Sequence, residues 1–184
     1  LAEKNGWFLA NQFENLANPA YHRNTTGPEI VQDFVGKKLD YFVTGWGTGG
    51  TLTGVGEVLR LARPDVRIIA TEPEAAALLS GKPFAPHKIQ GWTPDFIPAV
   101  LNRNVPDRIV TVTDAESIET ARQLARKEGI FTGISGGGSF AAALKVAHEV
   151  GPGHVLLAML PDTGERYLST ALFEGIPDGS DPDL

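Results

Sequence analysis

Thr44-Gly45-Trp46-Gly47-Thr48-Gly49-Gly50-Thr51 sets four glycines between an apolar run, Leu39 to Val43, and a stretch, Leu52 to Leu61, whose apolar residues recur at helical spacing. A strand that enters a glycine-rich turn and then a helix leaves backbone N–H groups unpaired near the positive end of the helix dipole. Glycine lets an anion approach that backbone, and Thr48 and Thr51 add hydroxyl donors. The stretch reads as a phosphate cradle, although a tight strand-to-helix turn without a ligand also uses glycine.

Outward from this loop the pattern alternates. Upstream, Trp7 to Ala10 reads as a short strand or its exit, Asn11 to Asn18 as a polar loop lining a cleft, and Thr25-Thr26-Gly27-Pro28-Glu29 as the capped start of a helix running to about Val35. Downstream, the helix after the loop stops at Pro64, and Val66 to Ala70 is the next strand. A short helix near Ala75 to Leu79 precedes a proline-rich irregular stretch to Asn104, long enough to suggest a functional loop. Ile109 to Val112 is a strand, Asp114 caps a helix through Lys127 closed by Gly129, and Ile130 to Thr132 is a brief strand before a second glycine-rich turn, Gly133 to Gly138. A helix over Ser139 to Val150, a strand over His154 to Leu160 and a helix over Gly164 to Phe173 follow. The expected fold is α/β: a three-layer, mainly parallel twisted sheet with helices on both faces. Residues 1–174 form one domain, and 175–184 a flexible acidic tail. Ligands of such sheets bind beyond the carboxyl ends of the strands, where both glycine turns lie.

Composition narrows the chemistry. The chain has 184 residues, is 42% hydrophobic and 21% charged, and so suits one soluble globular core. It has no cysteine, which excludes disulfides, thiolate metal sites and cysteine nucleophiles. Its four histidines lack metal-ligand spacing, so no metal site is expected. A net charge of −6 without a basic run argues against nucleic acid or an anionic membrane surface, and no apolar run reaches transmembrane length. A small molecule is the expected partner and the cytoplasm the expected location. The opening Leu1-Ala2-Glu3-Lys4-Asn5-Gly6 reads as the last turn of a helix closed by Gly6, so the chain is expected to begin partway through a larger protein.

Three chemistries compete for the two turns. Gly45, Gly47 and Gly50 fit G-x-G-x-x-G, and Glu72 follows about 20 residues on, where a nicotinamide dinucleotide fold keeps its ribose-binding acid. Gly133-Ile134-Ser135-Gly136-Gly137 fits the G-x-S-x-G nucleophile turn of hydrolases, but no histidine follows Asp162 to complete a triad in that order. The third reading uses both turns at once, one gripping a phosphate and the other offering a hydroxyl to another edge of the same cofactor.

Five ordered motifs favour the third. Gln12-Phe13-Glu14-Asn15 with Thr25 to Ile30, then Gly47 to Gly56, His87 to Gly91, Gly133 to Ser135 and Leu160 to Phe173 resemble the cysteine synthase (O-acetylserine sulfhydrylase) family, related to cystathionine β-synthase. The resemblance implies a pyridoxal 5'-phosphate enzyme of fold type II. It implies that Gly47, Thr48, Gly49, Gly50 and Thr51 bind the cofactor phosphate and that Ser135 faces the pyridine nitrogen. It assigns Gln12 to catalysis and the substrate carboxylate, with Phe13, Gly91 and Trp92 along the substrate cleft. The implied reaction is β-elimination of O-acetylserine, or a similar β-substituted alanine, to an aminoacrylate, followed by sulfide addition to give cysteine. It implies a homodimer, with serine acetyltransferase as a possible partner. Trp92-Thr93-Pro94-Asp95-Phe96 departs from the family's glycine-rich run and leaves the substrate range open. The family's Schiff-base lysine motif does not occur, Lys88 being the only lysine in a candidate cleft, so this chain is expected to need a missing N-terminal part and to be inactive alone. A cystathionine β-synthase-like replacement and a non-catalytic binding module stay open.

Overall fold

Among the described residues four strands, β1 (Tyr41–Gly45), β2 (Arg67–Pro73), β3 (Arg108–Val112) and β4 (Leu156–Ala158), form one sheet in the order β3-β2-β1-β4, with every pairing parallel. The computed structural model describes residues 1–176. Among these residues six α-helices accompany the sheet: α1 (Ala2–Asn5), α2 (Ala17–Asn24), α3 (Thr26–Asp33), α4 (Gly50–Ala62), α5 (Asp114–Gln123) and α6 (Ile134–Val150).

Alternation along the strands builds the layers. Phe42, Ile68 and Ala70 pack in one cluster with Leu52, Val55 and Leu59, which recur along α4. Val43, Ile69, Val110 and Val112 point the other way, into a cluster with Ala121 of α5 and Ile134, Ala142 and Val146 of α6. Because each face is covered, strand residues are apolar in succession, as the runs at Leu39 to Val43 and Val66 to Ala70 suggested. The three-layer α/β expectation holds.

Several local expectations are corrected. No strand forms over Trp7 to Ala10; Trp7, Phe8 and Leu9 are exposed. The polar stretch from Asn11 leads instead into α2, which the sequence reading missed. Thr25 precedes α3 but spends its hydroxyl on the Tyr21 carbonyl (2.8 Å) rather than capping the helix. Thr113, not Asp114, caps α5: its hydroxyl accepts from the Glu116 N–H while Glu116 accepts from the Thr113 N–H, a reciprocal capping box. A π-helical segment, Leu124–Glu128, then leads to Gly129, as expected for the closing residue. Thr132 makes only an isolated antiparallel bridge to Thr163. Gly133 to Gly138 is not a turn: Gly133 is the N-cap and the other glycines lie in the first turns of α6. Gly137 lies where a side chain would strike the Ser117 carbonyl of α5, and Gly138 where one would strike Trp92, so these glycines serve close packing. The expected helices at Ala75 to Leu79 and Gly164 to Phe173 are 3-10 turns, Glu74–Ala76 and Gly164–Tyr167. Most of the expected tail, residues 177–184, lies outside the described residues.

Asp107 fastens the entrance of the sheet. Its carboxylate accepts from the Ile68 N–H (2.7 Å) and from Arg60 (2.7 Å), while its own N–H donates to the Ile68 carbonyl (2.8 Å). Burial works to raise its pKa, but the Ile68 N–H and the Arg60 and Arg67 guanidiniums outweigh it and hold the carboxyl below the usual range. A depressed carboxyl pKa stabilises the fold above the unfolded value, and that contribution disappears as pH falls through the folded value. Asp107→Asn is expected to lower stability by about 1–2 kcal/mol at neutral pH. Paired urea titrations should show the wild-type advantage shrinking toward zero as the pH is taken below the carboxylate range.

Candidate active site

The carboxyl end of the sheet opens into a cavity of ≈ 360 Å³. Gly45 and Met159 bring β1 and β4 to it, Thr48 and Thr51 form its loop side, and Ser135, Ser139 and Tyr167 close the side under α6. Gln12 and Gly91 complete the rim. The position is the one a parallel α/β sheet reserves for ligands.

The glycine loop is built for close approach. Gly49 is the N-cap of α4 in the left-handed region (φ 85°), with Leu101 where a side chain would go. Gly49 supplies no side-chain cap; the Gly50 N–H donates to Thr48 Oγ1 (3.2 Å), and the Thr51 and Leu52 N–H groups of the first turn have no intrahelical partner. A Cβ on Gly47 would overlap the Gly91 carbonyl, and one on Gly45 would overlap the indole of Trp92. Thus the loop at 87–93 lies directly against the cradle; the Thr93 N–H donates to the Trp46 carbonyl (2.9 Å), tying the two together.

Across the cavity, Ser135 is buried beside Tyr167, whose phenol donates to Asp162. Burial, then the hydrogen bond to Asp162 and its charge, push the Tyr167 phenol up to about 12. The nearby Ser135 hydroxyl opposes that rise. The second carboxylate oxygen of Asp162 is buried without a hydrogen-bond partner.

The expected site residues divide. Gln12, Gly47, Thr48, Thr51, Gly91, Trp92 and Ser135 all line this one cavity. Gly49 and Gly50 shape the loop without lining the cavity, and Phe13 packs edge-on against Phe96 (5.2 Å between centroids), also outside the lining. Trp92 touches the cavity but is mostly buried, wedged between Gly45 and Gly138. Lys88 is exposed and away from the lining, and no lysine lines the cavity among the described residues. Asp162 and Tyr167 lie in the Leu160 to Phe173 motif and Gln90 in the His87 to Gly91 motif, with no site role of their own in the sequence; Ser139 carried no sequence signal.

Glu72 removes the support for a dinucleotide site. It is fully buried, and its carboxylate accepts from the N–H groups of Leu79 and Ser80 and from the Ser80 hydroxyl, leaving it no access to a ribose. Among the described residues no group of three or more His, Cys, Asp or Glu could hold a metal ion, and no helix is long and apolar enough to cross a membrane.

Residues 1–162 match the family model described as "Pyridoxal-phosphate dependent enzyme". The chain belongs to that family. Over 98% of its length it is 59% identical to an O-ureido-L-serine synthase of Streptomyces lavendulae, and over 94% it is 49% identical to a cysteine synthase of Staphylococcus aureus. The chain spans 56% of each of these relatives. A crystal structure of O-ureido-L-serine synthase with O-ureido-L-serine bound superimposes with a TM-score of 0.95 at 58% identity, covering 99% of this chain and 57% of that one. A cysteine synthase from Entamoeba histolytica gives 0.88 at 36% identity, covering 97% and 53%. The cofactor of the family is pyridoxal phosphate, and the cavity fits it: helix-terminal N–H groups and two hydroxyls for the phosphate, and a buried serine on the opposite wall.

With its pKa raised, neutral Tyr167 contributes stability that is complete below the usual tyrosine pKa of about 10 and is lost as pH rises through the folded value. Spectrophotometric titration of the full-length apoprotein should therefore show a phenol ionising near 12, and that step should vanish in Tyr167→Phe.

Proposed function

We propose that this chain carries the phosphate-binding part of a pyridoxal-phosphate enzyme that replaces the β-substituent of O-acetyl-L-serine or a similar β-substituted alanine. The observation that carries this reading is a single cavity with the glycine-threonine loop on one wall, Ser135 on the other, and Gln12 and Gly91 at the rim. Bound pyridoxal phosphate supplies an electron sink that eases loss of the α-proton and of the β-leaving group. In this reading the first-turn N–H groups of α4, Thr48 and Thr51 bind the phosphate, and Ser135 meets the ring nitrogen as a neutral hydroxyl. Gln12 gives its carboxamide N–H to the substrate carboxylate, and the loop carrying Gly91 and Trp92 excludes water from the bound amino acid. No lysine lines the cavity among the described residues, so in this reading the chain would need a lysine supplied from elsewhere and would be inactive alone. A homodimer in the cytoplasm, with serine acetyltransferase as a partner, is proposed on the strength of the cysteine synthase resemblance.

For the nucleophile we favour hydroxyurea. The support is the 59% identity to an O-ureido-L-serine synthase over nearly the whole chain, against 49% to a cysteine synthase. O-Ureido-L-serine is an alanine whose β-carbon bears the hydroxyurea oxygen, so the same replacement chemistry forms it. The second reading is sulfide addition to give cysteine, which the ordered motifs from Gln12 to Phe173 support. Full-length protein incubated with O-acetyl-L-serine and equal hydroxyurea and sulfide is expected to yield mainly O-ureido-L-serine by mass spectrometry. Cysteine as the main product would establish the second reading, and no product with either acceptor despite bound cofactor would leave a binding module.

A further inference from the structure

Asn18 and His22 lie one turn apart on α2, and both side chains end on hydroxyls of the phosphate loop. Asn18 Nδ2 donates to Thr48 Oγ1 (2.8 Å) and to the Gln12 carbonyl (2.9 Å). The Gly50 N–H donates to the same Thr48 oxygen (3.2 Å). With both lone pairs of that oxygen engaged by donors, the only hydrogen-bonding capacity left to Thr48 is its own proton, and Thr48 lines the cavity.

His22 makes the equivalent arrangement at Thr51. Its Nδ1 lies 3.0 Å from Thr26 Oγ1 and its Nε2 lies 3.2 Å from Thr51 Oγ1. With the proton on Nε2, Thr26 donates to Nδ1, Thr51 accepts from the ring, and the Thr51 proton is free for an anion in the cavity. With the proton on Nδ1, Thr51 must give its proton to the ring and turn lone pairs toward the anion, an arrangement a phosphate dianion opposes. Burial holds the ring below the usual imidazole range, which favours the neutral form.

The helices come close enough for this because α4 is notched. Gly50 and Gly54, also one turn apart, face Asn18 and His22: a Cβ on Gly50 would overlap the Asn18 carboxamide, and one on Gly54 would crowd the Pro19 carbonyl and the His22 Cβ. Nothing in the chemistry of phosphate binding by the loop itself requires Gly54, which lies a full turn into the helix.

We propose that Asn18 and His22 are positioning residues of the phosphate site: they fix the Thr48 and Thr51 hydroxyls as donors toward the cofactor phosphate, His22 as its Nε2-protonated tautomer. The inference rests on pyridoxal phosphate occupying the cavity. Apoenzyme prepared from the full-length protein is titrated with pyridoxal phosphate and, separately, with pyridoxal, which lacks the phosphate. Asn18→Asp keeps the side-chain shape and loses the donor, and His22→Leu removes the ring. Each is expected to weaken pyridoxal phosphate binding by about tenfold or more while changing pyridoxal binding by less than about twofold. His22→Gln, whose carboxamide can still donate to Thr51, should recover most of the loss. Equal losses for both ligands would reduce the pair to helix packing and overturn the proposal, as would no loss for either. Ring-nitrogen NMR shifts of His22 in the holoenzyme supply an independent reading: a proton on Nε2 supports the assignment and one on Nδ1 contradicts it. A wild-type protein that binds pyridoxal as tightly as pyridoxal phosphate would remove the cradle itself, a result visible before any substitution is made.

Discussion

Burial of β1 on both faces is the constraint from which the rest follows. Phe42 and Val43 point to opposite sides of the sheet and both are fully buried, and the strand is paired to β2 on one edge and β4 on the other. Complete burial of each such side chain stabilises by about 1.5–3 kcal/mol, more than a solvent-exposed ion pair contributes. A strand so enclosed has one exit that can meet solvent and ligand, its carboxyl end. Thr44 and Gly45 make that exit, and the glycine loop begins there.

Glycine then decides how near the surrounding elements come. At Gly45 and Gly47 the absent side chains admit Trp92 and the Gly91 carbonyl, bringing the substrate-side loop against the cradle. At Gly50 and Gly54 they admit α2, and at Gly137 they admit α5. The cavity is thus walled by segments far apart in sequence, and its volume depends on contacts as close as backbone to backbone. The cost is the lower helix propensity of glycine within α4 and α6, offset by packing against the sheet and neighbouring helices.

Much of this was legible in the residues. Successive apolar positions in β1 and β2 announced strands covered on both faces, and the spacing of Leu52, Val55 and Leu59 announced a helix laid on one of them. The loop from Gly45 to Thr51 read as a phosphate cradle, and motif order identified the family later matched over residues 1–162. Helix α2 was hidden because asparagine and an early proline, Pro19, weaken the local helical signal, while its stability comes from lying on α4. The glycines after Gly133 were read as a turn because the sequence shows their flexibility and not the neighbours that need the space. Glu72 looked like a ribose ligand for a related reason: spacing records where an acid falls along the chain, whereas its use in binding the 79–80 backbone appears only in three dimensions.

A phosphate held by helix-terminal N–H groups and two oriented hydroxyls is favoured as a dianion, because its charge strengthens every bond it accepts and it carries no proton that needs an acceptor among a set of donors. Phosphorus NMR of the full-length holoenzyme tests this most directly. The account predicts a bound resonance whose shift does not move between about pH 5 and pH 8, a range spanning the second ionisation of a free phosphate monoester near 6. A resonance that titrates with a midpoint near 6, as in open solvent, would contradict the cradle.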